Sequence, residues 1–251
     1  MYLYNKKLIR EFIEDKNNLK KINKIYISKS IQNNPLIKKI IYILKQNEVP
    51  INILDPEIFN KKFSFLDHQS IVLEYSDFLY SNLEEIEKNI NKVKLPIIIL
   101  GYKIKDPRNL GALMRVCYAF DIAGILIPNK DSVNVNDTVI QASRNSKIKI
   151  HRFQSITKII NHFISKKYNI IILDKSGENK LHKLDYNFIL PKSLVIIGGE
   201  IGVNKEIIKN IINLKTVSIE IYNIESLNLT NAASIFLYHF FSKKKQFNLN
   251  Y

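Results

Sequence analysis

The chain has 251 residues, 46% hydrophobic and 24% charged, enough for an ordinary core in one large domain or two modest ones. A single cysteine excludes an intrachain disulfide, and no Cys/His metal pattern is present. With 38 Lys and Arg against 23 Asp and Glu, the formal net charge of +15 points to a polyanionic partner, nucleic acid before a membrane surface, though the abundance of Ile, Asn and Lys marks part of that charge as compositional.

The opening stretch, MYLYNKKLIREFIEDKNN, carries charges throughout and does not read as a signal peptide. No apolar run approaches the ~18 residues of a membrane span, so a cytoplasmic protein is expected. Residues 1–80 read as a small α/β module. Predicted here are an amphipathic helix in LIREFIEDK, a strand at Lys24–Ser28 and a helix at Pro35–Asn47 with Ile37, Ile40, Ile41 and Leu44 on one face. Strands at Val49–Leu54 and Ser70–Tyr75 flank a short helix at Asp55–Lys62, capped by Asp55. Lys6, Lys7, Arg10, Lys20, Lys21, Lys24, Lys38 and Lys39 make the module basic, although each also reads as solvated surface. Residues 81–94 are polar and helix-compatible, without Gly or Pro, and read as a linker, helical in part.

From residue 95 to 251 strands and helices alternate again. Predicted strands are Leu95–Leu100, Ala123–Pro128, Lys147–Ile150, Tyr168–Asp174, Ser193–Gly198 and Thr216–Ile221. Predicted helices are Asn109–Phe120, Asp137 to about Asn145, Ser155–Lys166, Lys205–Ile212 and Leu227–Phe241. Several strands are nearly continuous Ile, Leu and Val, as strands covered on both faces must be. The fold class is therefore α/β: a mostly parallel open sheet with helices on both sides, preceded by the small N-terminal α/β domain.

Three segments break the apolar monotony at strand ends, where ligands bind in such sheets. DPRNLGALMR (Asp106–Arg115) reads either as an active-site loop or as an ordinary strand–turn–helix junction with Asp106 or Asn109 as N-cap. GGEIGVNKE (Gly198–Glu206) fits neither a dinucleotide fingerprint nor a P-loop, yet its glycines let backbone approach a ligand closely. IESLNLTNAASIFLY (Ile224–Tyr238) begins a helix, with Ser226 as the candidate N-cap. Cys117 has apolar and aromatic neighbours and reads as a packing residue rather than a nucleophile.

Taken together, Asn-Leu-Gly-Ala-x-x-Arg, a glycine loop carrying Glu200, and Ser-Leu-Asn-x-x-x-Ala resemble the SpoU/TrmH family, S-adenosylmethionine-dependent RNA ribose 2′-O-methyltransferases of the SPOUT superfamily. The resemblance covers residues 95–251 in order and spacing. LDHQS (Leu66–Ser70) is similar to the His-Gln-Gly stretch that ends the N-terminal RNA substrate-binding domain of the RlmB-like branch, which methylates a guanosine of large-subunit (23S) rRNA. The resemblance implies a C-terminal trefoil knot, a homodimer, S-adenosylmethionine as cofactor, RNA as partner and no metal. It places Asn109, Arg115, Glu200 and Asn228 in the catalytic set. Gly198, Ile219, Ser226 and Leu227 become the cofactor-binding positions.

A ribose 2′-hydroxyl is a poor nucleophile until its proton is removed, and an in-line approach makes positioning the main source of rate. The family's Arg is proposed as the base, but arginine is effectively always protonated, so Arg115 is expected first to hold the target ribose or a phosphate. Asn109, Glu200 and Asn228 would orient it. Arg144 and Arg152 read either as phosphate contacts or as exposed charge. The chain departs from the family pattern at the second motif, where Ile201 follows Glu200 and Gly202 comes one place early. It departs again at the third, where Glu220, Tyr222 and Asn223 stand in place of a Pro and a Gly. A Ser-Ala-Gly-Ala stretch is Ser143, Arg144, Asn145 and Ser146 here, and Asn145 is expected to tolerate left-handed geometry. Two alternatives follow: a non-catalytic RNA-binding or ribosome-assembly factor on the same fold, or a tRNA 2′-O-methyltransferase, against which the N-terminal domain argues.

Overall fold

The computed structural model describes residues 1–76, 78–144, 146–199, 211 and 214–249. The chain forms two compact units, Met1–Leu79 with Val135–Asn145, and Tyr80–Asn134 with Ser146–Tyr251.

The first unit carries a four-stranded sheet in the order β1 (Tyr2–Leu3), β4 (Ile71–Tyr75), β2 (Ile22–Ser28), β3 (Ile51–Leu54). β4 runs antiparallel to both of its neighbours, and β3 is parallel to β2. Helix α1 (Lys6–Ile13) starts at Asn5, whose side chain accepts from Lys7 N and Leu8 N, and buries Leu8, Ile9, Phe12 and Ile13. A short α2 (Lys16–Leu19) follows. α3 (Pro35–Gln46) is capped by Asn34 and buries Ile37, Ile40 and Leu44, the spacing of one helical face. α4 (Pro56–Lys62) lacks the predicted cap bond: the Asp55 carboxylate instead meets Lys29 Nζ at 2.7 Å.

The second unit is built on seven parallel strands, ordered β7 (Ile150–Phe153), β6 (Ile122–Pro128), β5 (Leu95–Tyr102), β10 (Ser193–Gly198), β8 (Asn169–Leu173), β11 (Lys215–Ser218), β9 (Asn179–Lys180). This is the expected α/β architecture with its parallel sheet. Ile97–Leu100 of β5 and Leu194–Ile196 of β10 are fully buried, and each such side chain contributes about 1.5–3 kcal/mol. Helices α6 (Pro107–Ala119) and α8 (Ile156–Ser165) cover the sheet, and α9 (Leu229–Leu249) closes the chain. Of the predicted helix at Lys205–Ile212, only Ile211 is among the described residues.

Two boundaries differ from the sequence expectation. Residues 81–94, read as a partly helical linker, do hold a helix, but they belong to the second unit: α5 (Leu83–Asn89) buries Ile86 completely in its core. Gly124 of β6 makes room for it, since a Cβ there would stand 2.9 Å from Ile86. Residues 135–145, assigned to the second domain by sequence, belong to the first unit. There α7 (Asp137–Ser143) presents Asp137 Oδ1 to Tyr2 N at 2.6 Å. Among the described residues no helix is long and apolar enough to cross a membrane.

The chain passes from β5 to β6 and β7 on one side of the sheet, while β8, β10 and β11 lie on the other. The order therefore reverses between β5 and β10. Open α/β sheets bind ligands outside the carboxyl ends of the strands at such a reversal. Tyr102 of β5 and Gly198 of β10 pair at that point.

Candidate functional site

The loop after β5 leads into α6. Asp106 is the N-cap, its Oδ1 accepting from Arg108 N at 2.7 Å, with Pro107 in the first turn. Asn109 is thereby released from capping. Its side-chain oxygen accepts from Asn228 Nδ2 at 3.1 Å, across 119 positions of sequence. Asn228 also caps its own helix, since its Oδ1 accepts from Thr230 N at 2.8 Å. The sequence expectation of Ser226 as cap is corrected: α9 begins at Leu229, Ser226 is exposed, and Leu227 is half-buried. One asparagine pair thus ties the start of α6 to the start of α9.

Arg115 lies six residues along α6 from Asn109, about 9 Å of helical rise, and is exposed. Arg115 makes no hydrogen bond or ion pair with a described residue, which leaves its five N–H donors available.

The second motif follows β10. Gly199 N donates to Tyr102 O at 2.7 Å, and a Cβ on Gly199 would stand 2.4 Å from Lys103 O. The glycine is needed because backbone crosses backbone here, whereas the sequence reading reserved that approach for a ligand. Gly198 ends the strand beside it; Glu200 lies outside the described residues.

The third motif leaves the sheet earlier than predicted. β11 stops at Ser218, whose Oγ donates to Gly177 O at 2.8 Å. Ile219, Glu220, Ile221, Tyr222, Ile224 and Glu225 then line an open groove of about 330 Å³ together with Lys175 and Lys180. That volume falls in the range of small-ligand sites, about 300–1,000 Å³. Residues 219–228 form neither strand nor helix, so their backbone donors and acceptors are not committed to a ladder. Isoleucines and Tyr222 give the groove an apolar side. Its charged rim is paired, His182 Nδ1 to Glu220 at 3.0 Å and Lys175 to Glu225 at 4.0 Å. Asn223 takes a φ of 67°, the left-handed geometry that the family's glycine would supply and that asparagine tolerates well. In the Ser143–Ser146 stretch Arg144 is left-handed, with φ 54°; the expectation for Asn145 lies outside the described residues.

Arg152 is neither a phosphate ligand nor loose surface charge. Its Nε donates to Asn129 Oδ1 at 3.2 Å, its Nη2 to Pro128 O at 2.8 Å and Asn129 O at 2.9 Å, and its Nη1 to Val133 O at 3.3 Å and to Asn134 Oδ1. All five guanidinium donors are consumed. The loop it grips reaches the first motif, because Val133 N donates to Ile104 O at 2.8 Å and Asp131 pairs with Lys103 at 3.6 Å. Nothing in the sequence singled Arg152 out for this. Cys117 is fully buried, and burial pushes its thiol pKa up, so it stays protonated and unreactive.

Residues 96–238 match the SpoU rRNA Methylase family, and residues 6–81 match a domain described as RNA 2′-O ribose methyltransferase substrate binding. An uncharacterized tRNA/rRNA methyltransferase of Mycoplasma genitalium is 27% identical over 214 residues, 80% of this chain and 84% of its own. One from Archaeoglobus fulgidus is 28% identical over 223 residues, covering 87% and 90%. Among solved structures, the SpoU methyltransferase AviRb of Streptomyces viridochromogenes in complex with AdoMet superposes with a TM-score of 0.75 at 16% identity, covering 98% of this chain and 91% of that one. An AdoMet-bound rRNA methyltransferase of Sinorhizobium meliloti gives 0.72 at 16% identity, over 95% and 85%.

Proposed function

The chain belongs to the SpoU/TrmH family of RNA methyltransferases, and on that premise we propose that it transfers a methyl group from S-adenosylmethionine to a ribose 2′-hydroxyl of RNA, with a guanosine of large-subunit (23S) rRNA as the target. The observation that carries the reading is the Asn228–Asn109 bond. It joins the polar side chains of two motifs more than a hundred residues apart, one of them on the helix that also carries Arg115.

The residues fit the cofactor. The groove at Ile219 offers an apolar side and uncommitted backbone of the kind an adenosine needs. Gly198, Ile219 and Leu227 would hold it through their main chain and Ser226 through its hydroxyl. The cofactor supplies a methyl group on a sulfonium, an electrophile that calls for no metal. Arg115 takes the target ribose or its phosphate, while Asn109, Asn228 and Glu200 fix the hydroxyl and Arg115 in register. The contribution is chiefly positional. The first unit brings the RNA, consistent with the substrate-binding match.

The enzyme works as a homodimer in the cytoplasm. α6 and α9 expose Tyr118, Ile235 and Tyr238, and Phe120 packs edge-on against Tyr238 at 6.4 Å and Phe241 at 5.7 Å. An exposed apolar set of this kind on two adjoining helices suits a second copy of the chain.

The test is Arg115→Ala. Methyl transfer into RNA is expected to disappear while calorimetric AdoMet binding is unchanged. A fully active variant refutes the role given to Arg115. If the folded wild type binds RNA but no AdoMet, the chain is an RNA-binding or assembly factor on the same fold. Mapping the methylated riboses in rRNA and tRNA of a strain lacking the gene identifies the target.

A further inference from the structure

The aromatic residues around LDHQS have no part in methyl transfer. Phe63 is 1% exposed and sits at the centre of a cluster, its ring centroid 5.0 Å from both Phe59 and Tyr26 and 6.1 Å from Tyr2. The cluster reaches the surface at Phe65, which is 67% exposed and meets Tyr2 at 6.2 Å and Phe63 at 6.4 Å. An exposed phenyl ring backed by a buried aromatic cluster is held in place at little further entropic cost.

Cations lie on the same cluster. Lys62 Nζ is 5.1 Å from the Tyr26 centroid and 5.7 Å from that of Phe63, and Lys24 Nζ is 5.6 Å from Tyr26. These distances are within the ~6 Å reach of cation–π attraction. Lys24 is shared with Glu74 at 3.6 Å, whereas Lys62 makes no ion pair with a described residue. His68 packs edge-on against Phe59 at 5.0 Å and accepts from Ser70 N at its Nδ1, 3.2 Å.

We propose that Phe65, the exposed end of an aromatic cluster that also carries Lys62 and Lys24, is a stacking site for an unpaired base of the RNA substrate. Every base offers a π-face, but an A-form duplex hides it, so an exposed ring selects unpaired nucleotides. Lys62, on the same cluster and without a carboxylate partner among the described residues, suits the phosphate that accompanies each base. That pairing of ring and cation favours RNA over an apolar protein partner. The proposal rests on the RNA-methyltransferase reading and deepens it: the first unit recognises a loop or bulge rather than a continuous helix.

The chain contains no tryptophan, so Phe65→Trp introduces a single fluorescent reporter at the site. Its emission is expected to be quenched by a single-stranded RNA oligonucleotide and much less by the duplex of the same sequence. Phe65→Ala is expected to weaken single-strand binding, followed by anisotropy of dye-labelled RNA, about tenfold, the scale of one lost base stack. Lys62→Glu should weaken it as well and flatten its salt dependence. AdoMet affinity should not change in any of the three, which shows the second unit to be intact. Unquenched emission with RNA bound, or wild-type affinity in Phe65→Ala, overturns the site. Methyl transfer into total RNA is read separately with labelled AdoMet. Its presence alongside unquenched emission leaves the enzyme reading standing without this site, and its absence alongside quenching does the reverse.

Discussion

Asn228 uses both ends of one carboxamide: its oxygen caps α9 through Thr230 N at 2.8 Å, and its nitrogen donates to the side chain of Asn109 at 3.1 Å. Thr230 N is an unambiguous donor, so the amide orientation is fixed by chemistry. The helix cap and the motif contact are the same residue.

That double duty can be separated. Asn228→Asp retains a good cap but loses the donor toward Asn109, so the melting temperature should hold while kcat at saturating AdoMet falls about tenfold, the scale of one oriented hydrogen bond. Asn228→Ala loses the cap too and should cost about 1 kcal/mol of stability in addition. Unchanged kcat in the aspartate variant would show that the pair does not position the site.

Arg152 offers a second test. Arg152→Ala strips donors from the carbonyls of Pro128, Asn129 and Val133 and releases the loop that touches Ile104. A loss of about 2–3 kcal/mol is expected in urea unfolding. Arg152→Lys should recover little of it, because an ammonium cannot reproduce the planar fork.

Ser70 sits at φ 61°, where the family's pattern has glycine. A side chain in left-handed geometry costs about 1 kcal/mol or more, and glycine surrenders part of that gain through its freer unfolded chain. Ser70→Gly should therefore stabilise the first unit by about 0.5–1 kcal/mol, visible as a higher thermal midpoint. A lower midpoint would mean that the serine makes a compensating contact.

Tyr168 governs an alkaline effect. Burial, and secondarily Glu87, pushes its pKa up to about 12. The unfolded chain ionises this tyrosine near 10, so between about pH 10 and 12 the native state holds more protons than the unfolded one, and stability falls as pH rises. Below pH 10 the group contributes no slope. Urea midpoints for wild type and Tyr168→Phe should fall in parallel up to about pH 9.5 and diverge above it, the phenylalanine variant losing less.

The buried sheet was readable from sequence because two-sided burial leaves runs such as Leu95–Leu100 with no polar interruption. The helix-compatible sequence of residues 81–94 allowed α5, but a segment so rich in polar residues did not reveal that Ile86 and Ile90 enter the second unit's core. The cap at α9 was misplaced because Ser226 and Asn228 are equally good cap residues locally, and only a partner more than a hundred residues away decides between them. Arg152 was missed for a related reason. Three of its five acceptors are main-chain carbonyls, which every sequence possesses and none advertises. The family motifs found Asn109 and Asn228 without saying that they touch.

The division of the chain also has a consequence for synthesis. The first unit is discontinuous: it comprises Met1–Leu79 and, after a stretch of the second unit, Val135–Asn145. The backbone N–H of Tyr2 acquires its Asp137 acceptor only when more than half of the chain has left the ribosome. β1 is thus made well before α7 and is fully bonded only after it. A fragment ending at Leu79 would carry the sheet but not the helix that completes it.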